Sequence, residues 1–587
     1  MPVELTWKLE DVFESDEIWL AKFEELKALP ARFAEFEGKL GRSAADLLAF
    51  MRLQDEAQVE LERLDHYAHC KSDTDTADNK YIDFKGKAGM IEVQTFSAAA
   101  FAAPELIAIP EETLESFYSE CPELETYRRP IYAVRRAASH TLSPECENLL
   151  AMSGEMAGTP GSVNGIFTNA DLRFPDVEDA CGVSHKLTNS TLVPLLEDDD
   201  PVFRKKVFDA YYGRMGEFIN TFAALMDAQF KKLRFYAGAR GYKGVLEAAL
   251  DGNEVPVEVY HNLIDAVHSN LDKMYRYVSL RKKMLGLPEL HMSDVYAPMV
   301  PGVSGKISFE QAKETVLEGL SVLGEDYVSI LKEGFANRWI DVYENEGKRS
   351  GAYSTFLADP HPYVLLNHKD NTDSMFTLAH EMGHALHSYH SVKNQPVCTR
   401  QYVIFVAEVA STCNEVLLMK HLLSKTTDKV ERACLINHFL DKFKGTVYRQ
   451  TMFAEFERFM GETSQSGQTL TAELLCSKYL ELNRLYFGPD MVSDEGISYE
   501  WARIPHFYTT YYVYQYATGF SAAVAIANRI LKEGAPAVAD YKEFLSSGGS
   551  SDPISLLRIA GVDMSTPEPV NDALALFGEL IDELESL

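Results

Sequence analysis

Residues 371–390 read NTDSMFTLAHEMGHALHSYH and contain the pentad HEMGH at residues 380–384. Apolar residues recur through this stretch at helical spacing, which predicts an α-helix with the pentad in its middle. Residues four apart lie on one helix face, so His380 and His384 can present their imidazoles to a single ion, with Glu381 beside them. The pattern H-E-x-x-H is typical of zinc peptidases, in which the two histidines bind the metal and the glutamate is the general base.

A catalytic zinc ion needs a third protein ligand and an open fourth position. His390 follows His384 at the spacing of the metzincin pattern H-E-x-x-H-x-x-G-x-x-H, but His387 stands where that pattern has the glycine that lets the chain turn back. Glu408 lies farther along in VAEVAS, where a lone glutamate is costly to bury unless it is paired or bound to metal. Glu408 is therefore the favoured third ligand, with Glu415 on the same helix face as a supporting or salt-bridge group.

The composition is that of an ordinary globular protein, with 46% hydrophobic and 25% charged residues. The 56 basic and 88 acidic residues give a formal charge of −32, which argues against nucleic acid or an anionic membrane as a partner. The sequence has no recognisable signal peptide and no apolar stretch long enough for a membrane span. The eight cysteines include no C-x-x-C pair, which is typical of reduced thiols. These features predict a cytoplasmic protein.

Helical periodicity dominates the chain, for example in residues 14–103 and 401–423, where apolar residues recur three and four apart. The composition shifts to Gly, Pro, Asn and Asp in residues 158–185. We therefore predict a mainly α protein with a domain boundary at that point. An N-terminal helical lobe would span residues 1–185, and a catalytic metallopeptidase domain would span residues 186–587.

Short strands are predicted at two places. GIFTNADLRFP at residues 165–175 alternates in polarity, as a short hairpin does. Residues 351–356 and 362–367, just before the pentad, read as a strand pair. This pair is either a structural hairpin or a sheet edge to which an extended peptide can add itself.

Motifs along nearly the whole chain resemble oligoendopeptidase F, within the thimet oligopeptidase and neurolysin family of zinc metallopeptidases. They are LTWKLEDVF near the N-terminus, Arg240-Gly241-Tyr242, FTLAHEMGHALHS, FVAEVASTCNE, IPHFYTTYYVYQYATG and GGSSDPISLLRIAGVDM. The resemblance implies a mainly α fold of two helical lobes around a deep central channel, with a small β-sheet near the zinc site. It also implies one zinc ion per chain, held by His380, His384 and Glu408, with Glu381 as the base.

The same resemblance implies groups that stabilise the oxyanion formed when a peptide carbonyl is attacked. His506 would bind the substrate, and Tyr511 and Tyr514 would donate hydrogen bonds to the oxyanion or the substrate. The spacing between this histidine and the tyrosines is shorter than in thimet-type enzymes. Taken by itself, so dense an aromatic stripe is more often part of a core.

We therefore predict a cytoplasmic zinc metalloendopeptidase that hydrolyses short peptides through a zinc-activated water, with Glu381 as the base. A metallocarboxypeptidase is the alternative, and it would need a basic group such as Arg503 to hold the terminal carboxylate of the substrate. A catalytically inactive peptide-binding protein would have lost a ligand or the base, whereas this sequence keeps them. Cleavage preference and oligomeric state are left open.

Overall fold

The structure is a computed structural model that describes residues 2–300, 306–357, 360–509 and 511–587. Helices account for 71% of the chain and the sheets are small, which confirms the mainly α prediction. The chain divides into two compact units. The first unit consists of Met1–Thr141, Ser304–His421 and Ile526–Gly561, and the second of Leu142–Val303, Leu422–Ala525 and Val562–Leu587. The first unit thus draws residues from both predicted domains, and the division after residue 185 stays a prediction.

The helices and strands follow one another in this chain order. The α-helices are α1 (Asp16–Leu26), α2 (Leu29–Ala34), α3 (Ala44–Thr74), α4 (Asn79–Ala98), α5 (Ala102–Ala108), α6 (Glu111–Glu120), α7 (Arg128–Arg136), α8 (Pro144–Ala157), α9 (Thr159–Ile166), α10 (Leu192–Leu196), α11 (Pro201–Glu217), α12 (Ile219–Ala239), α13 (Val245–Asp251), α14 (Val257–His268), α15 (Leu271–Met284), α16 (Phe309–Gly319), α17 (Glu325–Ala336), α18 (Thr372–Asn394), α19 (Ile404–Lys425), α20 (Lys429–Phe443), α21 (Arg449–Gln465), α22 (Ala472–Phe487), α23 (Tyr514–Glu533), α24 (Ala535–Leu545), α25 (Pro553–Ile559) and α26 (Glu568–Ser586). The strands are β1 (Val177–Glu178), β2 (Ser184–His185), β3 (Leu290–His291), β4 (Ile340–Asp341), β5 (Tyr353–Ser354), β6 (Val364–Leu365) and β7 (Met491–Val492).

A three-stranded sheet of order β4-β6-β5 lies in the first unit and packs against α18. β6 pairs with β5 in the antiparallel sense and with β4 in the parallel sense. The predicted strand pair before the pentad is therefore confirmed, although each strand is only two residues long, and β4 is an addition that the pattern did not predict. Because β5 is the last strand in the order, it forms an edge of the sheet.

The apolar core of the first unit joins this sheet to the N-terminal helices. Trp19 of α1 stacks on Phe84 of α4, with ring centroids 4.0 Å apart. The same core includes Tyr363 and Leu365 of the sheet region, and the indole N–H of Trp7 donates to the carbonyl oxygen of Val364 at 2.7 Å. The N-terminal helices thus hold the sheet that supports α18.

The hairpin predicted at residues 165–175 is wrong. This segment completes α9 and continues as one π-helical turn, Phe167–Asp171. Phe167 packs against Phe218 and Phe222, with ring centroids 5.2 and 5.3 Å away, and this packing outweighs the alternating pattern. The antiparallel pair lies just afterwards, where β1 pairs with β2.

The helices of the described residues include no single one that is long and apolar enough to cross a membrane. One pair bent by 104°, Asn79–Ala108 with Glu111–Glu120, passes the same test of length and composition.

Candidate metal centre

The helix that carries the pentad is α18, and its existence confirms the prediction for this stretch. It begins after Asn371, whose side-chain oxygen accepts the backbone N–H of Ser374 at 2.8 Å and so satisfies one of the free donors of the first turn. The helix then runs without a break to Asn394. His380 and His384 lie one turn apart on it, with ring centroids 4.9 Å apart.

A glycine brings the neighbouring helix α19 close to the pentad. A Cβ atom at Gly383 would lie 2.5 Å from the Cα of Ser411 and 2.8 Å from the carbonyl oxygen of Ala410. These distances are too short for any side chain, so the backbones of α18 and α19 touch at this point. The contact sets Glu408, one turn before Ser411, opposite the two histidines.

Three donor atoms converge where the two helices meet. Glu408 Oε2 lies 3.4 Å from Nε2 of His380 and 3.5 Å from Nε2 of His384. All three ligand atoms lie within 4.8 Å of one another. The side chains are 18% to 27% exposed, so the group is partly buried and still accessible to solvent.

Two polar contacts hold the ligand helices in register. Glu415 Oε1 lies 2.5 Å from Nδ1 of His380, which leaves Nε2 of that ring to face Glu408. On the buried side, Asn414 donates to the carbonyl oxygen of Ala379 at 3.1 Å and accepts the hydroxyl of Tyr327 at 3.0 Å. A carboxylate on the second nitrogen of a ligating histidine fixes the ring and makes it a better ligand.

The protonation equilibria of these groups follow from burial and mutual pairing. Burial by itself lowers the pKa of His380, but its contacts with Glu408 and Glu415 raise that pKa to about 10. Burial raises the pKa of Glu408, and the two histidines more than reverse this and hold it well below its usual range. Burial raises the pKa of Glu381, against the opposing effect of both histidines. The raised pKa of His380 favours its cationic form beside the carboxylates of Glu408 and Glu415.

His387 and His390 lie outside the donor group, as their positions on an unbroken helix require. The ring of His387 stacks on Tyr402 at a centroid distance of 3.7 Å, and burial lowers its pKa to about 3. The ring of His390 lies parallel to that of Tyr327 at 6.3 Å. His387 therefore serves in packing.

The predicted substrate-binding groups belong to the second unit. Tyr511 is buried, with a left-handed backbone (φ +47°), and its N–H donates to Glu457 Oε1 at 2.6 Å. Tyr514 is buried at the start of α23, with its ring 5.1 Å from that of Tyr260. His506 is half-buried and stacks with Tyr512 at 6.0 Å. Burial lowers the pKa of His506.

Arg503, the group that a carboxypeptidase would need, is engaged within its own unit. Its Nη2 donates to Glu500 Oε1 at 2.8 Å, and Arg449 Nη2 donates to the same oxygen at 2.6 Å. Nothing in the contacts of Arg503 supports the carboxypeptidase alternative.

The sequence did not predict the roles of three residues that shape the site: Gly383, Asn414 and Tyr402. A signal existed for the first of them, because a glycine inside a helix costs about 1 kcal/mol relative to alanine and calls for a packing reason. The other two are ordinary residues in an apolar run, and only the tertiary contacts reveal them.

The donor set is that of a hydrolytic metal centre. It consists of two imidazoles one turn apart and a carboxylate from the next helix, with the further carboxylate of Glu381 beside them. With H-E-x-x-H on a helix beside a small sheet, the fold and site define a metallopeptidase.

Comparison with known proteins agrees with this class. The model for peptidase family M3 matches residues 194–576, and the model described as oligopeptidase F matches residues 105–174. Oligopeptidase PepF of Bacillus subtilis (strain 168) is 46% identical over 582 residues, which cover 99% of this chain and 87% of the relative. Oligoendopeptidase-F from Enterococcus faecium has a similar structure, with a TM-score of 0.77 and 35% identity over 97% of this chain and 99% of that chain.

The chain belongs to peptidase family M3, and it is a metal-dependent endopeptidase. The resemblance drawn from the sequence motifs is thereby confirmed. Family membership implies a catalytic metal ion.

Proposed function

We propose that this chain is a zinc endopeptidase of short peptides, in which His380, His384 and Glu408 hold one zinc ion. The spacing of the donors carries the proposal. Ligand atoms in a tetrahedral site with bonds of about 2.0–2.2 Å lie about 3.4 Å apart, and Glu408 Oε2 is 3.4 and 3.5 Å from the two imidazole nitrogens. Two histidines and one glutamate leave a fourth position free, as hydrolytic zinc sites require.

The residues around the site have separate tasks in peptide hydrolysis. Zinc, when bound, supplies Lewis-acid chemistry that polarises a carbonyl and lowers the pKa of water. Glu381 takes the proton of the attacking water on its carboxylate and delivers it to the nitrogen of the leaving amine. Glu415 holds His380 by its Nδ1 atom and keeps the ring aimed at the ion. No covalent bond forms between the enzyme and the substrate.

The edge strand β5 supports a mode of substrate binding. Among the described residues, Tyr353 and Ser354 pair with β6 and with no other strand, and this sheet packs against α18. An extended peptide adding to such an edge makes main-chain hydrogen bonds that do not depend on its sequence. The class of substrate, short peptides, is supported by family membership and by relatives named oligopeptidase.

We assign His506 to substrate binding, and Tyr511 and Tyr514 to hydrogen-bond donation toward the oxyanion or the substrate. Sequence correspondence with the family supports these roles. Loss of one donor to an oxyanion lowers kcat by about a hundredfold or more. The variants Tyr511→Phe and Tyr514→Phe are assayed separately for kcat and for thermal stability. The donor is the tyrosine whose variant has a lower kcat and an unchanged Tm. A variant with unchanged kcat removes that tyrosine from the proposal.

We also assign the chain to the cytoplasm, and we assign residues 186–587 to a catalytic domain and residues 1–185 to an N-terminal domain. All eight cysteines are free thiols, as in proteins of reducing compartments. The separate family matches before residue 175 and after residue 193 support the domain division.

Glu381→Gln tests the mechanism. The variant keeps the size of the side chain and removes the proton acceptor, so we expect one zinc ion per chain and a loss of peptide cleavage of about a hundredfold or more. Zinc content by atomic emission and cleavage of a quenched-fluorescence peptide are measured on the same sample, with and without chelator. Wild-type cleavage by zinc-loaded Glu381→Gln would falsify the assignment of the base.

A peptide amidated at its C-terminus tests the mode of cleavage. An endopeptidase cuts it at an internal bond as readily as the free acid, whereas an enzyme that holds a terminal carboxylate stalls on it. Mass spectrometry of the products separates the two results. Cleavage only of the free acid, one residue from the end, would contradict the endopeptidase proposal.

A further inference from the structure

A cavity of about 210 Å³ lies inside the second unit, independent of the metal centre. Tyr212 of α11 lines one side of it. Asp441, Lys444 and Arg449, from the end of α20 to the start of α21, line another, together with Glu500. The lining thus combines charged side chains with aromatic and aliphatic ones, as ligand sites do.

Positive charge exceeds negative charge around this cavity. Lys444 donates to Asp441 Oδ1 at 2.7 Å, and Arg281 approaches the same oxygen at 3.5 Å. Arg449 and Arg503 share one oxygen of Glu500 at 2.6 and 2.8 Å. Four cationic side chains therefore rest on two carboxylates. The cationic side chains are only 1% to 21% exposed.

This excess is not removed by neighbouring acids. The buried Asp294 is paired with Arg204 at 2.8 Å and leaves no charge to spare. Glu197, which also lines the cavity, is exposed to solvent. If Glu197 is counted, the four cationic side chains still outnumber these carboxylates by one. An uncompensated charge is costly in a protein interior, and a small anion in the cavity offsets that cost.

A hydrogen-bond donor in the wall also lacks an acceptor. Tyr212 is 3% exposed, and none of the hydrogen bonds among the described residues involves its hydroxyl. The remaining oxygen of Glu500 is taken by the hydroxyl of Tyr479 at 2.6 Å. Tyr212 therefore presents a buried hydroxyl beside the cationic groups, where an anionic oxygen would accept from it.

The backbone that carries Lys444 is itself irregular. Residues Lys444–Tyr448 form a single π-helical turn between α20 and α21. Such turns are rare inside helices and are frequent at functional sites. Here the turn places Lys444 and Arg449 on the wall of the same cavity.

We propose that the cavity bounded by Tyr212, Lys444, Arg449 and Glu500 binds a small oxyanion. The chemical class is an inorganic oxyanion such as phosphate, or a carboxylate, since both supply the oxygens that guanidinium, ammonium and hydroxyl groups bind. The site stabilises the second unit by neutralising its buried positive charge.

Lys444→Met tests the proposal against the matched control Lys442→Met. Both variants lose one positive charge, but only Lys444 lines the cavity. In the zinc-loaded, full-length protein at constant ionic strength, saturating inorganic phosphate raises the Tm of the wild type and of Lys442→Met by about 2 °C or more. The Lys444→Met protein shows less than half of that rise, and calorimetric titration gives a phosphate Kd about tenfold weaker.

Tyr212→Phe provides a second variant in case Lys444→Met does not fold. Loss of one hydroxyl donor weakens phosphate binding about fivefold. An equal response to phosphate in the wild type, Lys444→Met and Tyr212→Phe, or no response in the wild type, overturns the proposal.

The oxyanion is either a free anion or the terminal carboxylate of a peptide. Binding of a peptide to the Glu381→Gln protein, which does not cleave it, is measured with and without phosphate to distinguish these two sources. If the cavity takes a peptide carboxylate, phosphate competes with the free-acid peptide but not with its C-terminal amide. If it takes a free anion, both peptides bind equally well with and without phosphate. In the first case the competition is expected to be lost in Lys444→Met, and competition that persists in Lys444→Met contradicts the assignment of the site.

Discussion

The metal centre and the polar cluster around the cavity carry net charges of opposite sign. In the first unit, Glu381, Glu408 and Glu415 surround two histidines, and the excess is negative. In the second, four cationic side chains share the carboxylates of Asp441 and Glu500, and the excess is positive. Unbalanced charge is costly to bury. The sign of the excess therefore indicates the sign of the missing ligand, a metal cation in one cluster and an oxyanion in the other.

The clusters also differ in how the backbone builds them. The metal centre lies on two regular helices, so its geometry follows from a spacing of four residues and one close crossing at Gly383. The second cluster depends on a π-turn at Lys444–Tyr448 and a 3₁₀ stretch at Glu495–Arg503. The first cluster can be predicted from the sequence because it lies on regular helices. The second cannot, because no simple spacing rule describes its irregular turns.

Removal of the third metal ligand is expected to have the largest effect. Glu408→Ala leaves two histidines, too few to hold a catalytic ion, so zinc content and peptide cleavage both fall to background. Zinc is measured by atomic emission after gel filtration, with circular dichroism to check the fold. If Glu408→Ala keeps one tightly bound zinc ion, Glu408 is not the third ligand.

Removal of a carboxylate from the second cluster is expected to lower the free energy of unfolding and to leave the zinc content unchanged. The paired guanidinium groups outweigh the effect of burial and hold the pKa of Glu500 at about 2, below its ordinary value of 4.5. Because this pKa is depressed, the stabilisation is complete above pH 4.5 and is lost as the pH falls through about 2. Glu500→Gln should therefore lower the free energy of unfolding at pH 7 by about 3 kcal/mol.

The control for this variant is Glu495→Gln, which changes the same charge at an exposed position in the same 3₁₀ stretch. Urea unfolding followed by circular dichroism gives both free energies. The gap between Glu500→Gln and the wild type should narrow as the pH is lowered from 4.5 toward 2. A constant gap over this range would show that the charge of Glu500 is not its source.

Loss of the carboxylate behind His380 is expected to weaken the metal site without abolishing it. Glu415→Gln retains the size of the side chain but loses the charge that fixes the imidazole, so zinc affinity falls about 10- to 100-fold. Competition with a fluorescent zinc chelator measures the affinity. With saturating zinc, cleavage should recover most of the wild-type rate, and failure to recover would assign Glu415 a part in the chemistry itself.

A methyl group at the helix crossing is expected to have the smallest effect on stability. In Gly383→Ala the new Cβ would lie 2.5 Å from the Cα of Ser411. The helices α18 and α19 must therefore move apart, which costs about 2 kcal/mol. Gly86→Ala in α4 is the matched control, since nothing lies within 4 Å of its added Cβ and the change favours the helix. Thermal unfolding compares the two variants. A neutral Gly383→Ala would mean that the crossing tolerates more separation than its geometry indicates.

The metal centre was largely predictable because its signals are local. The periodicity around residues 371–390, the pentad and the isolated charge of Glu408 in an apolar run each have a direct physical meaning. The continuous α18 also explains why His390 cannot complete the site. What remained hidden were long-range contacts, such as the approach of Ser411 to Gly383.

The second cluster was not predictable because its contacts are not local. Arg503 is a plausible carboxylate binder in the sequence, yet in the fold it pairs with Glu500, three residues away, together with Arg449 from another helix. The hairpin expected at residues 165–175 was lost to the packing of Phe167. In each case one partner, Arg449 or Phe218, comes from a distant part of the chain that no local pattern identifies.

The interleaving of the two units has a consequence for how the protein is made. The first unit includes Ile526–Gly561, and the second ends at Leu587, so neither is complete until nearly the whole chain has been synthesised. At about 5–20 residues per second, the ribosome needs roughly half a minute or more for 587 residues. During that time the N-terminal helices lack the later segments of their own unit, which have not yet been translated. Nascent chains of this enzyme should therefore depend on chaperones more than those of a protein with contiguous domains.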